Sequence, residues 1–210
     1  MNATQVAWRN HYCRRWADPR RIDEEPNDIV ARTLKYKTRG RALDLGAGAG
    51  PDAIYLARNG FAVDAVEMSC TGVDRMNRIA KEEHLPLIGH LQDACSFDFF
   101  GQYDLIVSVL VFNHFADSIA RLLIEQMKLH TAATGLCVIE TVTKAGDSYR
   151  LRAGNGFFYP DPEELRSLFA DWEVIEYDEV LVVAEPKVWL PKQTNNVQAQ
   201  IIAKKPVPRP

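Results

Sequence analysis

The stretch that decides the fold runs from residue 42 to residue 50 and reads Ala42-Leu43-Asp44-Leu45-Gly46-Ala47-Gly48-Ala49-Gly50. The largely apolar run at its start predicts a buried strand, and the alternating glycines predict a sharp turn. Residues 51–59 predict a helix, because Pro51 suits a first helical turn and Asn59-Gly60 supplies a stop. Open α/β sheets bind ligands at such strand–helix turns, although glycine is also the default residue of any tight turn.

The rest of the chain continues this alternation of strands and helices. Further strands are predicted over residues 61–66, 87–91, 103–111 and 136–142, with helices over 71–83 and 117–130. A helix from Asp161 as N-cap and Pro162 to about Ala170 precedes two β-rich runs, residues 172–183 and 197–203, with no helix between them. We therefore expect an α/β, Rossmann-like doubly wound sheet that is mostly parallel, with an antiparallel C-terminal strand.

Acidic residues lie at or near the ends of the first three predicted strands. Glu67 follows the glycines by roughly 20 residues, where an acid can accept hydrogen bonds from ribose hydroxyls. Asp93, with Ala94, is placed to contact an adenine edge. A dinucleotide fingerprint needs its third glycine at position 51, which is Pro51, so a pyrophosphate cofactor is disfavoured. Together with Asp44, these acids suit S-adenosylmethionine, which carries a sulfonium and an ammonium and no phosphate.

Residues 41–140 resemble the class I S-adenosylmethionine-dependent methyltransferases. The resemblance rests on residues 42–50, 63–67, 92–94 and 103–108. It implies S-adenosylmethionine as cofactor, held by the following residues: Asp44, Gly46, Ala47, Gly48, Gly50, Glu67, Met68, Asp93 and Ala94.

The nearest subgroup is the tellurite-resistance methyltransferases and their small-molecule relatives, which residues 52–65 and 163–166 before Trp172 resemble. That subgroup carries a histidine–arginine pair after its sixth strand, where residues 182–185 here read Val-Val-Ala-Glu, so the resemblance does not extend to an oxyanion substrate. We expect a helical cap over residues 1–37, a methyltransferase domain over 38–204 and a flexible tail over 205–210.

Three features bear on the methyl acceptor. His114, just after the fourth strand, is the candidate catalytic base, or else a packed or capping histidine. Trp8, Tyr12 and Trp16 share a helical face that either packs on the domain or covers a ligand, with Tyr12 and Trp16 as candidate substrate residues. Residues 144–160 form a solvated connector or a lid, in which Arg150 and Arg152 are candidate partners for an anionic acceptor.

Composition excludes several other classes. The net charge of −3 disfavours a nucleic-acid partner. The scattered cysteines and the spacing of the histidines predict no metal. The chain shows no membrane span and no secretory signal near its first residue, so we expect a cytoplasmic location and a small-molecule acceptor. A non-catalytic S-adenosylmethionine-binding module and, less favoured, a nicotinamide oxidoreductase stay open.

Overall fold

The computed structural model of the chain describes residues 3–22, 24–152, 156–184 and 193–207. The chain forms two compact units, Met1–Val107 and Ser108–Pro210. Over the described residues the strand order is β3-β2-β1-β4-β5-β7-β6. The strands are β1 Gly40–Leu45, β2 Phe61–Glu67, β3 Leu87–Leu91, β4 Tyr103–Val109, β5 Thr131–Val142, β6 Glu173–Ala184 and β7 Thr194–Lys204. The helices are α1 Ala3–Trp16, α2 Asp28–Arg32, α3 Pro51–Arg58, α4 Cys70–Glu82, α5 Asp117–His130, α6 Asp147–Arg152 and α7 Glu164–Ser167.

The first unit is built on parallel strands around β1. Strand β1 pairs in parallel with β2 and with β4, and β2 pairs in parallel with β3. Leu43, Leu45 and Phe61 are fully buried, as expected when helices cover a parallel sheet on both faces. The carboxyl ends of β1, β2 and β3 therefore share one edge of the sheet, and the candidate ligand-binding acids lie at or just after those ends. This confirms the predicted Rossmann-like α/β class.

Local signals set the helix boundaries of the first unit. Pro51 is the first residue of α3, and Gly60 follows its end with φ +97°. Ser69 caps α4 by accepting a hydrogen bond from the Gly72 N–H at 3.4 Å, so α4 begins one residue before the predicted start. The segment preceding β1 contains α1, α2 and two short 3-10 helices, Pro19–Arg21 and Thr33–Lys35. The predicted boundary between a helical cap over residues 1–37 and a methyltransferase domain over residues 38–204 stays a prediction.

The second unit carries the predicted antiparallel end of the sheet. Strand β7 pairs antiparallel with both β5 and β6. Strand β5 begins at Thr131, five residues before the predicted start. The predicted tail over 205–210 stays a prediction: Lys205 exchanges backbone hydrogen bonds with Thr134 and Gly135, and residues 208–210 lie outside the described ones.

Two sequence predictions in this unit are wrong. The helix expected over residues 161–170 is only α7, so Asp161 is not its N-cap and Pro162 is not in its first turn. Glu163 has a left-handed backbone with φ +63°, which keeps a helix from running through it, and its N–H donates to the Glu179 carboxylate at 2.7 Å. The strand predicted to end at 111 ends at Val109, because Leu110 also has positive φ, +57°.

The long connector over residues 144–160 contains α6, which the sequence did not predict. Its Asp147 carboxylate accepts a hydrogen bond from the Asn195 N–H at 2.9 Å, and the Ser148 N–H donates to Asn196 Oδ1 at 2.9 Å. Gly146 permits this approach, since a Cβ there would lie 2.8 Å from the Asn196 Cα. The helix therefore depends on long-range contacts. None of the helices in the described part of the chain combines the length and apolar character needed to cross a bilayer.

Candidate functional site

The glycine turn after β1, residues 46–50, adopts a conformation that explains its spacing. Gly46, Gly48 and Gly50 have φ of +80°, +59° and +87°, a region that residues with a Cβ rarely adopt. The N–H groups of Gly46 and Ala47 both donate to the Val66 carbonyl, at 2.8 and 3.0 Å. The turn is thereby fixed to the end of β2, and three of its five residues carry no side chain.

Glu67, the last residue of β2, ties this turn to the start of α4. Its Oε2 accepts a hydrogen bond from the Gly48 N–H at 2.9 Å, and its Oε1 accepts one from the Ser69 N–H at 2.8 Å. Burial raises the pKa of Glu67 to about 7, helped by the charge of Asp93, although hydrogen bonds from Ser69, Gly48 and Met68 lower it. Its predicted role as an acceptor for ribose hydroxyls stays a prediction.

Two further buried carboxyl groups lie beside the turn. Asp44 on β1 and Asp52 on α3 are 2% and 5% exposed. Burial raises the pKa of Asp44 well above its usual range, and the charges of Asp52 and Glu67 raise it further. Asp52 is held by Asn27, whose N–H and Nδ2 donate to it at 2.7 and 2.8 Å. Across the described residues, no donor hydrogen-bonds to Asp44 Oδ2, so no hydrogen bond replaces the hydration that this oxygen loses on burial.

The remaining predicted cofactor residues follow β2 and β3. Met68 forms a bend between β2 and α4. Asp93 caps the short 3-10 helix Ala94–Ser96 by accepting a hydrogen bond from the Cys95 N–H at 2.9 Å. Ala94 is buried. The structure therefore brings Asp93 into electrostatic range of Glu67 and leaves a small buried residue beside it. Their role on the adenine side stays a prediction.

Gly72 on α4 is a site residue that the sequence analysis missed. A Cβ at this position would lie 2.2 Å from the Gly48 carbonyl oxygen and 3.3 Å from Glu67 Cγ. Arg75, one turn later, donates from Nη1 to the Ala49 carbonyl at 2.5 Å. The first turns of α4 therefore support the glycine turn from behind. The available signal was the glycine inside a helical pattern, which costs about 1 kcal/mol and so indicates a packing reason.

The aromatic face of α1 lies on the same turn. Trp8 stacks on Tyr12 and Tyr12 stacks on Trp16, with ring centroids 6.0 and 5.8 Å apart. A Cβ at Gly48 would lie 3.2 Å from the Trp16 ring. Trp16 thus reaches the turn, and Tyr12 lies next to Trp16. Whether this face covers a ligand stays a prediction.

In the second unit, Asn113 holds the segment that carries His114. Both residues belong to the 3-10 helix Phe112–His114. Asn113 Nδ2 donates to the carbonyls of Val142 and Phe158, at 2.9 and 2.8 Å, and its Oδ1 accepts from the Val142 N–H at 2.9 Å. The sequence predicted His114 as a catalytic base or else as a packed or capping histidine, and it gave no role to Asn113, which fastens this segment to β5. The predicted catalytic role of His114 is untested by this geometry.

The candidate acceptor residues of α6 are less well defined. Arg150 lies in an ion pair with Asp147 at 3.1 Å, and its side chain is 71% exposed. Arg152 is the last residue of α6, and its side chain lies outside what the structure describes. Over the described residues there is no cluster of His, Cys, Asp or Glu that could hold a metal ion.

The architecture is that of the Rossmann-like methyltransferases. The crystal structure of TehB from Haemophilus influenzae superposes with a TM-score of 0.75 at 22% identity, covering 94% of this chain and 66% of that one. The family model described as "Tellurite resistance protein TehB" matches residues 20–185. The chain belongs to this family.

Two curated relatives match by sequence. "Hemagglutinin 1" of Eikenella corrodens is 31% identical over 141 residues, 67% of this chain and 46% of that protein. The "Probable S-adenosyl-L-methionine-dependent methyltransferase TehB" of Haemophilus influenzae is 28% identical over 139 residues, 66% of this chain and 48% of that protein. The match therefore spans about half the length of each of these relatives.

Proposed function

We propose that this chain is a methyltransferase that moves a methyl group from S-adenosylmethionine to a small-molecule acceptor. The observation that carries the proposal is the set of three buried carboxyl groups around a turn of three left-handed glycines. Asp44, Asp52 and Glu67 are each less than a tenth exposed, and burial raises the pKa of all three. Such a site favours a cation and repels a phosphate chain.

The residues present fit an adenosyl cation in a specific way. Asp44 Oδ2, buried and without a hydrogen-bond donor from the described residues, is suited to the ammonium group. Glu67 is suited to ribose hydroxyls and Asp93 with Ala94 to the adenine, while residues 46–50 admit the ligand to the backbone. When bound, S-adenosylmethionine would supply an electrophilic methyl group on a sulfonium, which a nucleophile would take in line while the neutral thioether of S-adenosylhomocysteine leaves. The site's main task is then alignment and exclusion of water. The name of the Haemophilus relative agrees with this cofactor.

Proton transfer is needed only for an acceptor that must lose a proton. We assign that role to His114, the predicted base, and the role of fixing its segment to Asn113, whose amide makes the hydrogen bonds described above. If the acceptor is an anion, Arg150 or Arg152 is its proposed partner, since a guanidinium can form two parallel hydrogen bonds with an oxyanion.

The proposed acceptor is a small molecule and not a nucleic acid, because the net charge is −3 and counterion release from a phosphate backbone needs basic side chains. Tyr12 and Trp16 belong to an aromatic face at the glycine turn and provide an apolar surface for a compact substrate. Residues 182–185, where the subgroup has its histidine–arginine pair, do not support an oxyanion, and residue 185 lies outside the described residues. A cytoplasmic location stays a prediction.

The test is calorimetry with S-adenosylmethionine, S-adenosylhomocysteine and NAD, followed by turnover against thiols, amines, phenols, chalcogen oxyanions and RNA. We expect both adenosyl ligands to bind, NAD not to bind, and one of the small-molecule classes to be methylated. Binding without any turnover would favour a non-catalytic module, NAD binding alone would favour an oxidoreductase, and methylation of RNA alone would overturn the small-molecule acceptor.

A matched pair of glycine variants tests the location of the site. Gly48→Val places a side chain where the ligand approaches the turn, so we expect adenosyl binding to be lost. Gly101→Val introduces a comparable positive-φ strain, at φ +83° and with only Arg41 Nη1 near its Cβ, at 3.7 Å. It should keep wild-type affinity. Equal affinities in the two variants would show that the glycine turn is only a turn.

A further inference from the structure

Two cysteines that are 57 positions apart in the sequence face each other across α1 and α4. Cys13 Sγ and Cys70 Sγ are 3.3 Å apart, and both residues are half-buried. The same two helices are held together beside them, because Thr71 Oγ1 donates to the Cys13 carbonyl at 2.9 Å. A disulfide requires a sulfur separation of about 2.05 Å, so only a small side-chain movement separates these thiols from a covalent bond.

The pair is arranged as one nucleophilic thiol and one donor. Burial raises the pKa of the Cys13 thiol, but hydrogen bonds from Ser69 and Cys70, together with the N–H groups of Cys70 and Thr71, outweigh it and lower the pKa. The pKa of Cys70 is raised, chiefly by its hydrogen bond to Cys13. The thiolate is the form that attacks a disulfide, so Cys13 is the attacking group and Cys70 the resolving one.

The other two cysteines differ from this pair. Burial raises the pKa of Cys95 to about 12, helped by Asp93. Cys137 is fully buried, and burial raises its pKa as well. Both are therefore poor nucleophiles at neutral pH, and Cys95 provides a matched control.

Both members of the pair lie within one turn of residues that contact the glycine turn. Cys13 precedes Trp16 by three residues on α1, and a Cβ at Gly48 would lie 3.2 Å from the Trp16 ring. Cys70 precedes Gly72 by two residues on α4, and Gly72 packs against the Gly48 carbonyl. A bond between the sulfurs would therefore join the two elements that cover and support the tip of the turn.

We propose that Cys13 and Cys70 are a redox modification site whose disulfide locks α1 over the glycine turn and closes it to adenosyl ligands. The inference rests on the proposed function for its consequence, whereas the disulfide itself rests on the geometry of the two helices. With the bond formed, Trp16 is held on Gly48 and the approach to the backbone is closed. With the bond reduced, α1 is free to move away and admit the ligand.

The oxidant is a low-molecular-weight disulfide. The Cys13 thiolate attacks one of its sulfurs, forms a mixed disulfide and releases one small thiolate. Cys70 then loses its proton to solvent and attacks the Cys13 sulfur, which releases the second small thiolate. The protein loses two electrons and two protons, and the small disulfide is reduced to two thiols. A dithiol reductant reverses the reaction by the same exchange.

The experiment compares the full chain after reduction and after incubation with glutathione disulfide. Non-reducing peptide mapping by mass spectrometry identifies the bond, and stopped-flow fluorescence measures the association rate of S-adenosylhomocysteine. We expect a Cys13–Cys70 cross-link and a fall of at least about tenfold in the association rate. The rate falls because only the open state binds the ligand, and the disulfide reduces the fraction of protein in that state. Reduction should restore the rate. Cys95→Ser should respond as the wild type does. Cys13→Ser, which lacks the attacking thiolate, should bind equally fast under both conditions, whereas Cys70→Ser should stop at the mixed disulfide with glutathione and form no cross-link.

Three outcomes separate the two claims. Absence of the cross-link overturns the modification site. A cross-link that leaves the association rate unchanged overturns the lock and leaves the proposed function intact. Reduced protein that does not bind S-adenosylhomocysteine overturns the proposed function, and the regulatory consequence with it.

Discussion

Replacing Gly72 by alanine tests whether the first turn of α4 sets the position of the cofactor turn. The new Cβ would lie 2.2 Å from the Gly48 carbonyl oxygen and 3.1 Å from the carbonyl carbon. Ordinary contact begins near 3.4 Å, so the turn and the helix must separate by about 1.2 Å. The Gly48 N–H bond to Glu67, 2.9 Å long, cannot keep its geometry after that shift.

The cost to folding should be small and the cost to binding large. Alanine gains about 1 kcal/mol over glycine in a helix, while overpacking costs about 1–3 kcal/mol. The net loss of at most about 2 kcal/mol lowers Tm by about 4–8 °C. A misplacement of about 1 Å in a binding constellation costs up to about 100-fold, so we expect the Kd for S-adenosylhomocysteine to rise about 10- to 100-fold.

Calorimetry at equal fractions of folded protein, checked by circular dichroism, measures this effect. Gly89→Ala on β3 is the control, because its Cβ would meet only the side-chain end of Asn77, at 3.1 Å. Movement of that side chain strains two exposed hydrogen bonds to the Gly89 backbone and does not displace the glycine turn. That variant should bind normally. If Gly72→Ala is folded and retains the wild-type Kd, α4 does not position the turn and our account of the site is refuted.

Three further predictions concern charge. Asp44→Asn removes a buried carboxylate whose Oδ2 has no donor among the described residues, so thermal unfolding at pH 8 should show no loss of stability. Calorimetry should show an S-adenosylmethionine Kd at least about tenfold higher. A variant that loses both stability and affinity would contradict this prediction. Glu67, whose pKa is about 7, should bind the cation when ionised, so affinity should fall about 30-fold from pH 8 to pH 5.5; a flat calorimetric profile would exclude it from the site. Lys205→Met removes Nζ hydrogen bonds of 2.8, 3.0 and 2.7 Å to three carbonyls at the end of α5, which should cost about 2–3 kcal/mol in urea unfolding. The control Lys204→Met loses one exposed ion pair and should cost below about 1 kcal/mol. Equal losses in the two variants would show that the Lys205 hydrogen bonds do not stabilise the end of α5.

The sequence was sufficient where local pattern and burial agree. The apolar run before Gly46 predicts β1 correctly because β1 lies buried between two neighbouring strands. Pro51 and Asn59-Gly60 predict the limits of α3 because these residues restrict the backbone conformation at their own positions. Glu67 and Asp93 could be placed at one edge of the sheet because parallel strands end there. These inferences need only short-range rules.

The features that escaped prediction depend on contacts between distant residues. Glu163 has a left-handed backbone, and its N–H contacts the distant Glu179 carboxylate; no local pattern around Asp161 and Pro162 reveals either feature. The Gly72–Gly48 approach and the Cys13–Cys70 pair likewise join positions that periodicity treats separately. Tertiary packing therefore decides which of several locally acceptable structures forms.

The buried acids connect stability to binding. The unfolded chain ionises Glu67 near pH 4.5, whereas the folded chain does so near 7. In that window the folded state holds the extra proton, so its stability falls as pH rises, by about 3 kcal/mol from this residue alone. Asp44 and Asp52 shift in the same direction. A bound cation interacts favourably with the charged forms and offsets that loss, so the arrangement that weakens the free protein at neutral pH is the one that selects the proposed ligand.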